Sequence, residues 1–457
     1  MGKTALRDMT SGSPMKLILG FMLPLLLGML FQQLYNMVDT IIVGRFLGVN
    51  ALAGVGSTGS INFLVIGFVL GVCTGFAIPV AQKFGSKDYD GLRKFVGNTI
   101  WVAVLFAAVL TVATCLLCSP ILKLMHTPDG VFAEAHDYIF VIFLGIPVTF
   151  LYNILSGFIR SLGDSKTPVI FLVISSLLNV ALDLFMIVVL KMGVSGAGWA
   201  TVISQLVSGI LCLGFIVKKF DILHLSRADL RPDFNYIGRL CSTGLPMGLQ
   251  YSITAIGTIL IQSAVNSLGP SCMAAVTAGS KVSQLMCCPI DAMGSTMATY
   301  GGQNIGAGRL DRVKKGLGSC SILGIGWGLI GLGIVLLFGE NLIMMFMDKD
   351  NAASAEEIET IIRLGRQFLI TNAAFYVPLA FVNIVRFLIQ GMGFSQIALF
   401  AGVFELVARG FVALQTVPMI GFTGVCFANP TAWILADSFL FPTYFMCCRH
   451  VKRHSGA

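Results

Sequence analysis

Charge is what this sequence has least of. Asp, Glu, Lys and Arg make up 11% of its 457 residues, apolar residues 56%, and there are five histidines and four tryptophans. A soluble globular chain carries about 25% charged residues, so a water-solvated surface around one core is excluded. Signatures of metal and nucleotide chemistry are missing too. None of His126, His136, His224, His450 and His454 lies in the interior of an apolar run, no carboxylate cluster has metal-ligand spacing, and no Gly-rich P-loop is present. Direct ATP use, a bound cofactor and enzymatic chemistry are therefore not expected, and no catalytic residue is nominated. Cys115 and Cys118 lack the second pair a zinc site needs, and the other cysteines lie mostly in or beside apolar runs, where free Cys behaves as a small hydrophobe. No aromatic-interleaved basic patch points to nucleic acid.

What the chain has is long apolar runs, at about 15–43, 52–81, 95–119, 136–159, 168–190, 194–217, 238–267, 272–303, 317–338, 366–391, 396–418 and 421–447. Some 20 apolar residues cross a bilayer as a helix, and unpaired backbone is excluded from lipid, so these runs predict an all-α polytopic membrane protein with twelve spans. With the N-terminus inside, 21 of the 30 basic residues fall on the inner side, among them Lys3, Arg7, Lys16, Arg93, Lys94, Lys218, Lys219, Arg312 and Arg449. Six fall outside, including Lys349, where the longest loop, Glu340 to Glu359, is acidic. That asymmetry predicts both termini in the cytoplasm of a plasma (inner) membrane protein.

The chain repeats itself. Ala81-Gln82-Lys83-Phe84-Gly85 and Asp90-Gly91-Leu92-Arg93-Lys94 return 221 residues later as Gly302-Gln303-Asn304-Ile305-Gly306 and Asp311-Arg312-Val313-Lys314-Lys315, and Gly193-Val194-Ser195-Gly196 returns as Gly421-Phe422-Thr423-Gly424. Two copies of six spans insert the same way up. They predict a six-helix lobe over 1–219, a cytoplasmic linker over 220–236 and a second lobe over 237–457, related by a pseudo-twofold along the membrane normal and enclosing a cleft.

The first span is polar where it should not be. Gln32, Tyr35, Asn36 and Asp39 follow i, i+3, i+4, i+7 spacing and share one helical face. An Asp at membrane depth costs at least about 2.5 kcal/mol, so it faces a bundle interior or a watery cavity and marks function by default. Asn179 and Asp183 stand i, i+4 on the fifth span, and Asn153 and Thr201 are polar positions on the fourth and sixth. Two acids with amide and hydroxyl partners can share a proton, because like charge and desolvation both disfavour a second ionised carboxylate. The same oxygens suit Na⁺, at Asp39, Asn179, Asp183 and Thr201, and residue types do not choose between the cations. A hydrogen-bond cluster that only locks helices is the plainer alternative. In the second copy Glu405 and Arg409, also i, i+4, read as a mutually neutralising structural pair. Gln32, Asn36, Asp291, Met286 and Met293 are candidate cavity-lining residues, and Pro24 is a weak point at which the first helix can bend.

These residues resemble the multidrug and toxic compound extrusion (MATE) family over essentially the whole chain. The likeness rests on Leu23-Pro24, Val38-Asp39-Thr40, Gln82 to Gly85, Arg160-Ser161-Leu162-Gly163-Asp164, Asn179-x-x-x-Asp183, Gly193 to Thr201, and Gln303 to Gly308. The resemblance implies two facing six-helix lobes exporting bulky, often cationic amphipathic compounds in exchange for H⁺ or Na⁺, with the bilayer and small molecules as partners and a monomeric state. In the DinF-like branch a first-lobe network binds the coupling ion, and its pattern matches Tyr35, Asp39, Asn153, Asn179, Asp183 and Thr201. The norfloxacin-transporter branch carries an acid in the seventh helix, where this chain has Gln250, Tyr251 and Thr254 after Gly244-Leu245-Pro246. A lipid-linked precursor flippase of the same superfamily would need several central cations, and a membrane-embedded transferase a metal or acid cluster at the bilayer surface.

Overall fold

The computed structural model describes residues 8–125, 127–346 and 354–454; Lys3, Arg7, His126 and Lys349 lie outside them. Among the described residues there is no strand. The first half comprises α1 (Pro14–Leu47), α2 (Val49–Ser57), α3 (Gly59–Gly85), α4 (Tyr89–Leu124), α5 (Asp129–Leu144), α6 (Ile146–Ser161), α7 (Lys166–Leu184) and α8 (Val194–Lys219). The second comprises α9 (Phe234–Asn266), α10 (Pro270–Gly306), α11 (Leu310–Phe346), α12 (Ala355–Ala373), α13 (Tyr376–Gly391), α14 (Ser395–Phe411), α15 (Val417–Ile420) and α16 (Phe422–His454). Among the described residues, eight helices, some with short continuations, are long and apolar enough to cross a membrane, and the bent pairs α5–α6 (47°) and α12–α13 (49°) make two more. α10 and α16, at 37 and 33 residues, have the length but are more polar. The twelve apolar runs thus map onto twelve helical passages of a polytopic all-α protein.

Three runs are interrupted where the sequence reading had them continuous: at Thr58, at Gly145 and at Ala374–Phe375. Pro147 and Pro378 follow the last two breaks, and proline both lacks an amide donor and disfavours helix just before it. The acidic loop expected from Glu340 to Glu359 is shorter than predicted. Glu340 belongs to α11 and pairs with Arg366 of α12 at 3.2 Å, while Glu356, Glu357 and Glu359 lie in α12.

The duplication is written in the backbone. Gly48, Lys87, Gly163 and Gly193 have φ of 88°, 59°, 88° and 64°, and Gly269, Gly308, Gly393 and Gly421 match them in order at 99°, 71°, 96° and 60°. Each half also closes its fifth passage with a π-helical turn, Phe185–Val189 after α7 and Val412–Thr416 after α14.

By packing, the chain divides into two compact units. One gathers Met1–Ser11 and Leu23–Ser252, the other Gly12–Met22 and Ile253–Ala457, so the divisions run inside α1, beside Pro24, and inside α9. In the first unit the central connection is fastened to α4. Asp233 N donates to Asn98 Oδ1 at 2.8 Å, Trp101 Nε1 donates to the Leu230 carbonyl at 2.8 Å, and Arg93 Nε stands 3.8 Å from Asp229. Gly97 lets the strap in: a Cβ there would run into the Asp229 carbonyl oxygen. Burial pushes the Asp229 carboxyl up, but hydrogen bonds from Ser226 and the charge of Arg93 outweigh it and hold it below the usual carboxylate range.

A candidate ion-coupling site in the first unit

Three helices bring the polar residues together. Gly28 permits α1 to lie close on α7, since a Cβ there would meet a Val169 methyl at 2.9 Å. Further along α1, Tyr35 and Asp39 are half-buried. On α7, Asn179 and Asp183 are 1% and 0% exposed. Their helix is capped by Asp164, whose carboxylate accepts from Lys166 N at 3.0 Å, Thr167 N at 3.1 Å and Thr167 Oγ1 at 2.6 Å. The π turn begins two residues after Asp183, a backbone irregularity frequent at functional sites.

The Asp39 and Asp183 carboxyls stand within electrostatic and hydrogen-bonding reach of each other. Oδ1 of each is buried with no hydrogen-bond partner. With its amide turned to satisfy both neighbours, Asn179 donates to Asp183 Oδ2 at 3.2 Å and accepts from Thr201 N of α8 at 3.2 Å. In the opposite orientation its nitrogen faces Thr201 Oγ1 at 3.5 Å. Tyr35 is within electrostatic reach of both acids and of Tyr152. Two partnerless carboxyl oxygens in one buried spot cannot both be ionised cheaply; a shared proton or one small cation relieves them. The donor set of carboxylate, amide and hydroxyl oxygens fits Na⁺ as well as it fits a proton, and among the described residues no group of three or more His, Cys, Asp or Glu gathers that would hold a transition metal.

Not every nominated residue joins this cluster. Asn153 on α6 donates to the Thr149 carbonyl one turn earlier, a local bond, while Thr149 donates to Gln205 Oε1 of α8 at 2.9 Å. Gln32 and Asn36 are exposed on α1, as is Asp291 on α10. Met286 is half-buried, its carbonyl accepting from Trp327 Nε1 at 2.9 Å. Met293 is 2% exposed and packs toward Gly324 of α11, an interior residue rather than an accessible lining one. Pro24 lies inside an α1 that is helical throughout. Sequence reasoning missed Tyr138 on α5, 9% exposed and within electrostatic reach of Asp39, Tyr35 and Asp183. A tyrosine early in an apolar run was its only signal.

The second unit is built differently at the corresponding place. Glu405 pairs with Arg409 at 3.4 Å and, across helices, with Arg386 of α13 in a still closer contact. All three are at most 6% exposed. Asp437 of α16 adds a second carboxylate within electrostatic reach of Arg386.

The chain resembles known proteins along most of its length. It is 29% identical over 360 residues to "Probable multidrug resistance protein YoeA" of Bacillus subtilis, covering 77% of this chain and 78% of that protein. With "Probable multidrug resistance protein YpnP" of the same organism it shares 29% over 379 residues, 83% and 82% of the two chains. Its fold matches the "Crystal structure of MATE in complex with MaL6" with a TM-score of 0.90 at 22% identity, over 99% of this chain and all of that one. The MatE family model matches residues 24–185 and 246–413, one segment in each repeat. The chain therefore belongs to the MatE family, that of the multidrug and toxic compound extrusion transporters, and is a transporter rather than an enzyme.

Proposed function

We propose that this protein is a secondary active multidrug efflux antiporter of the plasma membrane. It exports amphipathic, often cationic compounds in exchange for H⁺ or Na⁺, acting as a monomer with both termini in the cytoplasm. The observation that carries this reading is the pair of half-buried Asp39 and buried Asp183, each with a buried partnerless oxygen, on two helices of one unit with Asn179, Thr201 and Tyr35 beside them. The names of the Bacillus subtilis relatives support the efflux of drugs.

A proton or Na⁺ arriving at the pair removes the repulsion between its oxygens. α1 then repacks against α7 and α8, with Pro24 as the place where the helix yields, because Gly20 lacks the amide donor that an ordinary residue 24 would offer its carbonyl. The repacking shrinks the space available to substrate and favours its release outside. Gln32 and Asn36, exposed on α1, are the lining residues proposed for that space, and on α10 Asp291 and Met286 are proposed as lining residues of the second unit. The flippase alternative is disfavoured because Arg386 and Arg409, two of three cations at membrane depth, are committed to Glu405.

The test is purified protein in liposomes, with efflux of an ethidium-like dye measured under separately imposed H⁺ and Na⁺ gradients. Efflux driven by either gradient is expected. Dye movement that is indifferent to both would sink the antiport reading.

A further inference from the structure

The first unit carries a concavity that its ion site does not use. It is a groove of about 790 Å³ walled by α4, α6 and α8, with Ala108, Val104, Ile154 and Val217 among its lining residues. Its volume is in the range of ligand pockets, and its walls are almost wholly apolar. Two walls, α4 and α8, are membrane-crossing helices. Val104 and Val217, exposed at 61% and 56%, face outward where a bilayer supplies the solvent. One end is closed by the central connection, whose Leu223, His224 and Leu225 complete the lining and whose continuation is strapped to α4 through Asn98 and Trp101.

The charge at that closed end is positive. Lys218 and Lys219 are exposed and directly follow Val217, and His224 Nε2 donates to the Val217 carbonyl at 2.8 Å, which holds the imidazole at the rim. Asp221 is the only carboxylate between residues 217 and 225. An apolar trough along membrane-crossing helices, with His224 in its lining and two exposed lysines directly after the lining Val217 at the end of α8, matches one kind of molecule in both chemistry and position.

We propose that this groove binds an anionic phospholipid, one acyl chain lying between α4, α6 and α8 and the headgroup phosphate held by Lys218 and Lys219 beside His224. The occupant comes from the bilayer itself, because the groove opens along the flank of spanning helices. Two basic residues near a surface favour an anionic headgroup by roughly an order of magnitude or more. A lipid seated there also touches the strap, so occupancy stiffens the attachment of the connection to α4.

The experiment uses the full-length protein in vesicles of phosphatidylethanolamine and phosphatidylglycerol, doped with a lipid bearing a photoactivatable acyl chain. Parallel preparations carry the label on phosphatidylglycerol or on phosphatidylcholine, and labelled peptides are identified by mass spectrometry. Phosphatidylglycerol should label the α4, α6 and α8 segments of the groove roughly tenfold more than phosphatidylcholine. Ala108→Trp, at an exposed lining position, should remove that labelling by filling the trough. Lys218→Gln with Lys219→Gln, both surface positions that folding tolerates, should abolish the headgroup preference while leaving acyl labelling. Equal labelling by the two lipids, a preference untouched by the double lysine variant, or groove labelling undiminished in Ala108→Trp would each overturn the proposal.

Discussion

Asn179 donates to Asp183 Oδ2 at 3.2 Å from one turn earlier on α7, and its own oxygen is engaged by Thr201 N of α8. The amide therefore sets the direction in which the Asp183 carboxyl points. Asn179→Ala removes a hydrogen bond to a group that is charged for part of the cycle, an interaction worth about 1.5–3 kcal/mol. The apparent affinity for the coupling ion should fall roughly 10- to 100-fold in gradient-driven dye efflux, with the amount of folded protein unchanged.

Asp39→Asn keeps the shape of the side chain and removes one of the two acids. Ion-driven efflux in liposomes should fall to background, and Asp183→Asn should do the same. Since the two carboxyls act as one site, the double variant should be no worse than either alone. Substrate binding measured by fluorescence should persist. Ion-driven efflux retained in Asp39→Asn would show that coupling lies elsewhere.

In the second unit, Arg386→Leu leaves Glu405, 4% exposed, with only Arg409 to balance it. Removing one partner of a buried ion pair costs about 3–5 kcal/mol, so the thermal midpoint in detergent should drop clearly. Arg386→Leu combined with Glu405→Leu should not recover that loss, because Arg409, 6% exposed, is then a buried cation without its carboxylate. A single variant as stable as the parent would mean that the pair is solvated rather than buried.

Gly97→Ala places a methyl where the Asp229 carbonyl now lies. The strap must lift from α4, at a cost of about 1–3 kcal/mol. Trypsin cleavage after Arg227 should become markedly faster than in the parent, while the Arg231–Pro232 bond stays resistant, an outcome read directly from the digest.

Lys87 sits at φ 59° where the second half has Gly308 at 71°. Lys87→Gly relieves a left-handed backbone that disfavours side chains and should stabilise the protein by about 0.5–1 kcal/mol, visible as a small rise in the thermal midpoint.

Much of this architecture is legible without coordinates. Apolar runs reveal spans because a bilayer demands continuous hydrophobic helix, and the 221-residue offset reveals the duplication because Gly48 and Gly269 serve the same left-handed corner. The face shared by Tyr35 and Asp39 is local periodicity, and so is the spacing of Asn179 and Asp183. What the sequence hides is pairing between helices. Arg386 reaches Glu405 across 19 residues and two helices, and Tyr138 joins the acids from α5, with no spacing rule to announce either. Nor can composition tell the buried Met293 from the half-buried Met286, since both are methionines on one helix and differ only in which neighbour α10 turns toward them.

The strap over α4 changes what the midpoint of the chain means. Phe220 to Tyr236 is the hydrophilic stretch where one would cut this protein in two, yet Asp233 is tied to Asn98 and α9 begins at the next residue. No residue separates that tie from the helix. From the first packing unit to the second at this end, the polypeptide crosses between Ser252 and Ile253, in the interior of a helix. A chain severed after Arg227 would keep Asp229, Leu230 and Asp233 held to the α4 side by the same bonds that hold them now. The covalent link there duplicates what the noncovalent one already does.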